Sequence, residues 1–94
     1  MFLINVLAKP KKETEQYGEV VGAYVSLYID YKDIEGAIQL AKFYVKEEGW
    51  KVVKVEEEYF VLDSSEDVEE DQVPLYREAL EDGYAIIFNC YEEE

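Results

Sequence analysis

The chain has ninety-four residues, nearly half of them apolar and about a third charged, which describes one folded domain rather than a disordered chain. Twenty-three carboxylates face nine bases, a net charge of −14, and this field argues against phosphate-bearing nucleic acid and anionic membrane as partners. With no histidine the commonest general base and zinc ligand are absent, and a lone Cys90 permits no internal disulfide, an expectation of a reducing cytoplasm.

Met1 to Ala8 is a short apolar run read as a strand. It is too short for a membrane span or a signal peptide. Lys9 to Glu19 is a charged connection with a turn at Gly18. In "VVGAYVSLYID", Val21, Ala23, Val25, Leu27 and Ile29 share one face at period two, and Tyr24, Ser26, Tyr28 and Asp30 share the other. A helix is predicted from an Asp33 cap to about Glu48, with Ile34, Ala37, Ile38, Ala41 and Val45 at helical spacing. Gly49 suits a left-handed helix end, and Trp50 is placed to fold back on Val45.

"WKVVKVEEEYFVL" predicts a long extended segment with a bend near Glu56 to Glu58. An acidic connection follows at about 63–73, and Pro74 suits the first turn of a short helix, Leu75 to Asp82, ended by Gly83. "YAIIFNCY" reads as the last strand and residues 92–94 as a frayed tail. The whole is a single domain, 1–94, of order ββαβαβ. The expectation is an α+β fold: a four-stranded mixed sheet with two helices on one face, ferredoxin-like or related.

The charge is divided unevenly. Residues 1–49 hold eight acids and six bases, whereas residues 50–94 hold fifteen acids and three bases. "DSSEDVEEDQ" (63–72) fails as a calcium loop. Counted from Asp67, Gln72 stands where the loop needs glycine; counted from Asp63, Pro74 falls at the twelfth ligand position. A solvated connection is predicted there, with no metal and no cofactor. Glu56, Glu57 and Glu58 offer carboxylates for acid–base work. Neighbours along a strand alternate faces, so a solvated sheet edge or bend is the expectation, with no catalytic residue assigned. Cys90 shares the parity of Tyr84, Ile86 and Phe88, which reads as buried, and no cationic group is at hand to activate its thiol.

The tyrosines are the remaining signal. With Val21 to Ile29 facing the helices, Tyr24 and Tyr28 project from the opposite sheet face, joined by Ile87 and Tyr91 of the last strand. These four are the candidate interface, since tyrosine buries area while keeping a polar tip. Two functional classes follow. The first is a non-enzymatic binding protein acting on a basic protein partner, or a homodimer through the sheet face. The second is a small-ligand or catalytic domain using carboxylates near Glu56 and Glu58, in a cleft near those residues or Tyr59.

The succession "AIQLAKFYVKEEGWKVVKVEE", an acidic linker, then "YREALEDGYAIIF" resembles small bacterial domains of this size that carry no agreed activity. The resemblance implies a ferredoxin-like α+β fold and no functional residue. In size and acidity the chain is also similar to immunity proteins and antitoxins such as barstar-type inhibitors, on composition alone.

Overall fold

The computed structural model describes residues 1–12 and 21–91, so the predicted Gly18 turn and the tail at 92–94 lie outside the described residues. Among the described residues five strands and two helices appear in the order β1 (Phe2–Pro10), β2 (Gly22–Ile29), α1 (Ile34–Glu47), β3 (Trp50–Val55), β4 (Phe60–Val61), α2 (Val73–Asp82) and β5 (Tyr84–Tyr91). The strand order is β3-β1-β2-β5, with β4 also paired to β1. The fifth strand arises from the predicted bend, because β3 and β4 both pair with β1 on either side of a break at 56–59.

Every neighbouring pair in the sheet is antiparallel, which corrects the expected mixed sheet. β2 and β3, joined through α1, do run parallel, but β1 lies between them. A helical crossover can span one intervening strand, so parallel direction does not require direct pairing.

Local signals set the helix ends. The Asp33 carboxylate accepts a hydrogen bond from the Gly36 amide at 2.7 Å, satisfying one of the amides that a helix start leaves unpaired. Gly49 (φ 86°) and Gly83 (φ 91°) both take the left-handed conformation that frees the chain to turn from helix into strand.

The first face of the sheet is the core. Ile4, Val6 and Ala8 of β1 and Ala23, Val25, Leu27 and Ile29 of β2 pack under Ala37, Ala41 and Val45 of α1. Small residues on the helix bring its backbone close to the sheet. Trp50 reaches from β3 to stack on Phe88 of β5, ring centroids 5.1 Å apart. On the line between the two rings lie the register partners Ala8 and Ala23, both fully buried, whose small side chains leave room for the indole. The α1 backbone packs over β3, β1 and β2 and reaches β5 through the Tyr44 side chain, stacked on Tyr84 at the start of that strand. Cys90, predicted buried by parity, lies near the other end of β5 and is exposed.

α2 lies on the other face, correcting the expectation of two helices on one side and with it the ferredoxin-like arrangement. Its Tyr76 and Ala79 bury against Tyr28 of β2, Ala85 of β5 and Leu62, with Leu3 of β1 packed alongside. Leu3, Tyr28 and Ala85 are register partners in one row of that face. Apolar residues at this end of the second face are therefore core residues of a second, smaller cluster.

Candidate functional site

The second face divides at the edge of α2. Beyond the covered row lie Asn5, Ser26 and Ile87, then Leu7, Tyr24 and Asn89, each set in register across β1, β2 and β5. Tyr91 follows, its ring 5.3 Å from that of Tyr24. Gly22 makes room for this pair: a Cβ there would stand 2.6 Å from the Tyr91 hydroxyl oxygen.

Of the four predicted interface residues, three border this open ground and one does not. Tyr24 is 57% exposed, and Ile87 and Tyr91 are half-buried. Tyr28 is only 3% exposed, covered within the chain by α2 and Leu62. Alternation along β2 put Tyr24 and Tyr28 on one face correctly. It carried no information about a helix arriving over only one of them.

Where α2 stops, a groove of about 740 Å³ opens across the sheet. Its floor is Leu3, Ser26, Tyr28, Ile87 and Asn89; one wall is Tyr59 to Leu62, and the other is Asp67, Val68, Glu69 and Gln72. Much of the floor is apolar, and its polar groups are tied down. The Ser26 hydroxyl donates to Asn5 Oδ1 at 2.8 Å, the Asn89 Nδ2 donates to the Tyr24 carbonyl at 3.3 Å, and the Tyr28 hydroxyl donates to Gln72 Oε1 at 3.3 Å. A floor held this way keeps its shape before anything binds.

The acidic wall is ordered by its own hydrogen bonds. Ser65–Asp67 and Glu70–Gln72 form two 3₁₀ turns. Asp67 Oδ2 accepts from the amides of Asp63 (2.7 Å) and Ser64 (3.1 Å), while the Ser64 hydroxyl accepts from the Glu66 amide at 3.2 Å. This reciprocal cap is a device that helix starts use, here on a single 3₁₀ turn. The acidic connection is solvated as predicted, with Asp63, Glu66, Asp67, Glu69, Glu70 and Asp71 exposed, and its own hydrogen bonds also make it a structured wall. Desolvation beneath α2, followed by the charges of Asp71 and Glu69, pushes the Tyr28 phenol above its ordinary range. The negative field of the wall therefore reaches the groove floor.

The other candidates stand apart from this ground. Glu56, Glu57 and Glu58 sit at the break between β3 and β4, with Glu57 and Glu58 exposed. The Glu56 amide donates to the Asn5 carbonyl at 2.9 Å, extending the sheet edge. Among the described residues no three acidic or thiol side chains converge as a metal site, and no helix is long and apolar enough to cross a membrane. Of the wall residues, the sequence places only Tyr59 at the border of a cleft, with Glu56 and Glu58; Phe60 to Leu62, Val68 and Gln72 carry no such expectation. The one signal there is the apolar run Tyr59 to Leu62 set against an acidic stretch; the structure leaves Tyr59, Phe60 and Val61 exposed.

No protein-family model, curated protein or solved structure matches the chain.

Proposed function

We propose that this protein is a non-enzymatic binding protein of the reducing cytoplasm that captures a basic segment of a protein partner in the groove beside α2. The observation that carries this reading is one cleft joining an apolar floor (Leu3, Tyr28, Ile87) to an acidic wall (Asp67, Glu69). Apolar side chains of the bound segment would lie on the floor, and its lysines or arginines would meet the wall. The net charge of −14 draws such a segment in from a distance. Occlusion of the partner's basic surface is the mechanism, as an inhibitor or immunity-like protein would use. Tyr24 and Tyr91 extend the contact area beyond the groove, on the face where the sequence placed them.

A direct test is an NMR titration with extended peptides that alternate apolar residues with arginine, against matched peptides carrying glutamate. The basic peptides should shift the amides of Ile87, Asn89, Phe60 and Glu69, more weakly as salt rises. Reversing Glu69 and Asp71 to lysine should weaken binding at least five-fold, about 1 kcal/mol. Equal binding of the acidic peptides, or shifts confined to 56–58, would remove the basis for the reading and favour the carboxylates near Glu56 and Glu58 as the site.

A further inference from the structure

The two edges of the sheet are built differently. The β3–β4 edge carries Lys51 and Lys54, a bulge at Val53 where the register to β1 shifts, and a break at 56–59. Charge, bulges and short strands are the means by which sheet edges avoid pairing with other chains. The β5 edge has none of them. Tyr84–Tyr91 is eight residues long without a charge or a proline, and among the described residues it pairs with β2 alone.

The direction of its free backbone groups can be read from the bonds that are made. The Tyr91 carbonyl accepts from the Val21 amide and the Gly83 carbonyl from the Asp30 amide, so the odd-numbered residues aim at β2. By alternation, Tyr84, Ile86, Phe88 and Cys90 aim four N–H and four C=O groups outward.

Apolar side chains flank that edge on both sides of the sheet. On the first face Tyr84 stacks on Tyr44 of α1 (3.7 Å between centroids), and Phe43, 53% exposed, meets Tyr44 edge-on. On the second face Leu75 and Leu80 lie about 70° to either side of the buried stripe of α2, at 100° per residue. Leu75 packs into the cluster containing Met1 and Leu3, toward the sheet interior. Leu80 is the opposite flank, at the edge, and is 53% exposed.

We infer that β5 pairs antiparallel with β5 of a second copy, joining two sheets about a two-fold axis through Ile87. Two-fold pairing keeps matching faces together, so the residue numbers of opposed positions sum to an even value. Centring on Ile87 opposes Tyr84 to Cys90 and Ile86 to Phe88, so all eight outward groups of each strand find partners. The occupant follows from charge and area. A strand without charge gives a basic partner nothing to pair with, and on a chain of −14 it is where a second copy meets least repulsion. Eight residues span about 27 Å. Taken with the smallest extent of 23 Å, the strip projects to roughly 600 Å². Side-chain relief brings that toward the ~800 Å² per partner of a standard two-fold interface. Ile87 and Asn89 belong to both β5 and the groove floor, so pairing sets the two grooves side by side on one face.

The experiment is sedimentation equilibrium of the full chain over a wide concentration range, at low and high salt. A dimer of twice 11.0 kDa, tighter at high salt, is the expected result, opposite in sign to the salt response of groove binding. Leu80→Glu with Phe43→Glu, both at exposed positions and checked for folding by circular dichroism, should weaken it at least ten-fold. Ile87→Cys in a Cys90→Ser background should form an intermolecular disulfide on oxidation, whereas Tyr24→Cys in the same background should not. A monomer at every concentration overturns the inference. So does a dimer indifferent to both glutamates and cross-linked through Tyr24→Cys, which would place the contact on the open face. A dimer sensitive to the glutamates that fails to cross-link at Ile87→Cys overturns the register.

Discussion

The two faces of the sheet are made from the same strands and end up with different physics. Under α1 the face is dry from end to end: Ile4, Val6, Val25, Leu27 and Ile29 are all sealed. On the other side α2 covers one row and stops, leaving a floor of mixed apolar and hydrogen-bonded residues beside an acidic wall. The first face holds the fold together, and the second has surface to spare. Helix length accounts for much of this. α1 has fourteen residues and spans three strands, whereas α2 has ten and reaches two.

Stability measurements can break that division. Leu27→Ala deletes a fully buried side chain beneath α1 and should cost about 3 kcal/mol in urea unfolding, the middle of the range for such truncations. Tyr24→Ser, on the open ground, should stay within about 0.5 kcal/mol. Equal losses would mean that the second face is also structural, and the division would fail.

A smaller effect tests the border of the open ground. Gly22→Ala places a methyl group 2.8 Å from the Ala8 carbonyl oxygen, a backbone atom that cannot swing aside, and against the Tyr91 ring. It should cost about 1–2 kcal/mol and abolish the upfield ring-current shifts that Tyr24 and Tyr91 impose on each other. Neutral stability with those shifts intact would show that this corner is loosely held.

The smallest effect lies at high pH. The Tyr28 phenol holds its proton more tightly folded than unfolded, with burial the first cause and the charges of Asp71 and Glu69 next. The folded state thus binds more protons as pH passes the ordinary tyrosine value of about 10, and stability falls from there through the raised value. Tyr28→Phe should leave stability near neutral pH within about 1 kcal/mol, the worth of its bond to Gln72. The alkaline decline should become shallower. An unchanged decline would show that neither burial nor the neighbouring carboxylates hold the Tyr28 proton.

Much of the secondary structure was legible because its causes are local. β5 runs over Tyr84–Tyr91 as alternation and the preceding glycine indicated. Asp33 caps α1 with its own carboxylate, and Gly49 and Gly83 take the left-handed turn that only a missing Cβ makes easy. The bend at 56–58 was visible as three consecutive glutamates, but not that it would split one strand in two.

The choice of face was not legible. Period two sorts the residues of a strand into two sets and does not say what covers each. Here β1 is apolar on both sets and β5 nearly so, leaving α2 two plausible sides. The connection that decides, 63–72, is acidic and without apolar period, so it carries no local trace of the side on which it emerges. From that one choice follow the burial of Tyr28, the extent of the groove and the exposure of Cys90, on the face of β5 that α2 leaves uncovered. Amino-acid order determined where this chain is helix, strand and turn, because those depend on a few neighbours. Tertiary packing alone decided which tyrosine is core and which is surface, because burial is a property of what arrives from elsewhere in the chain.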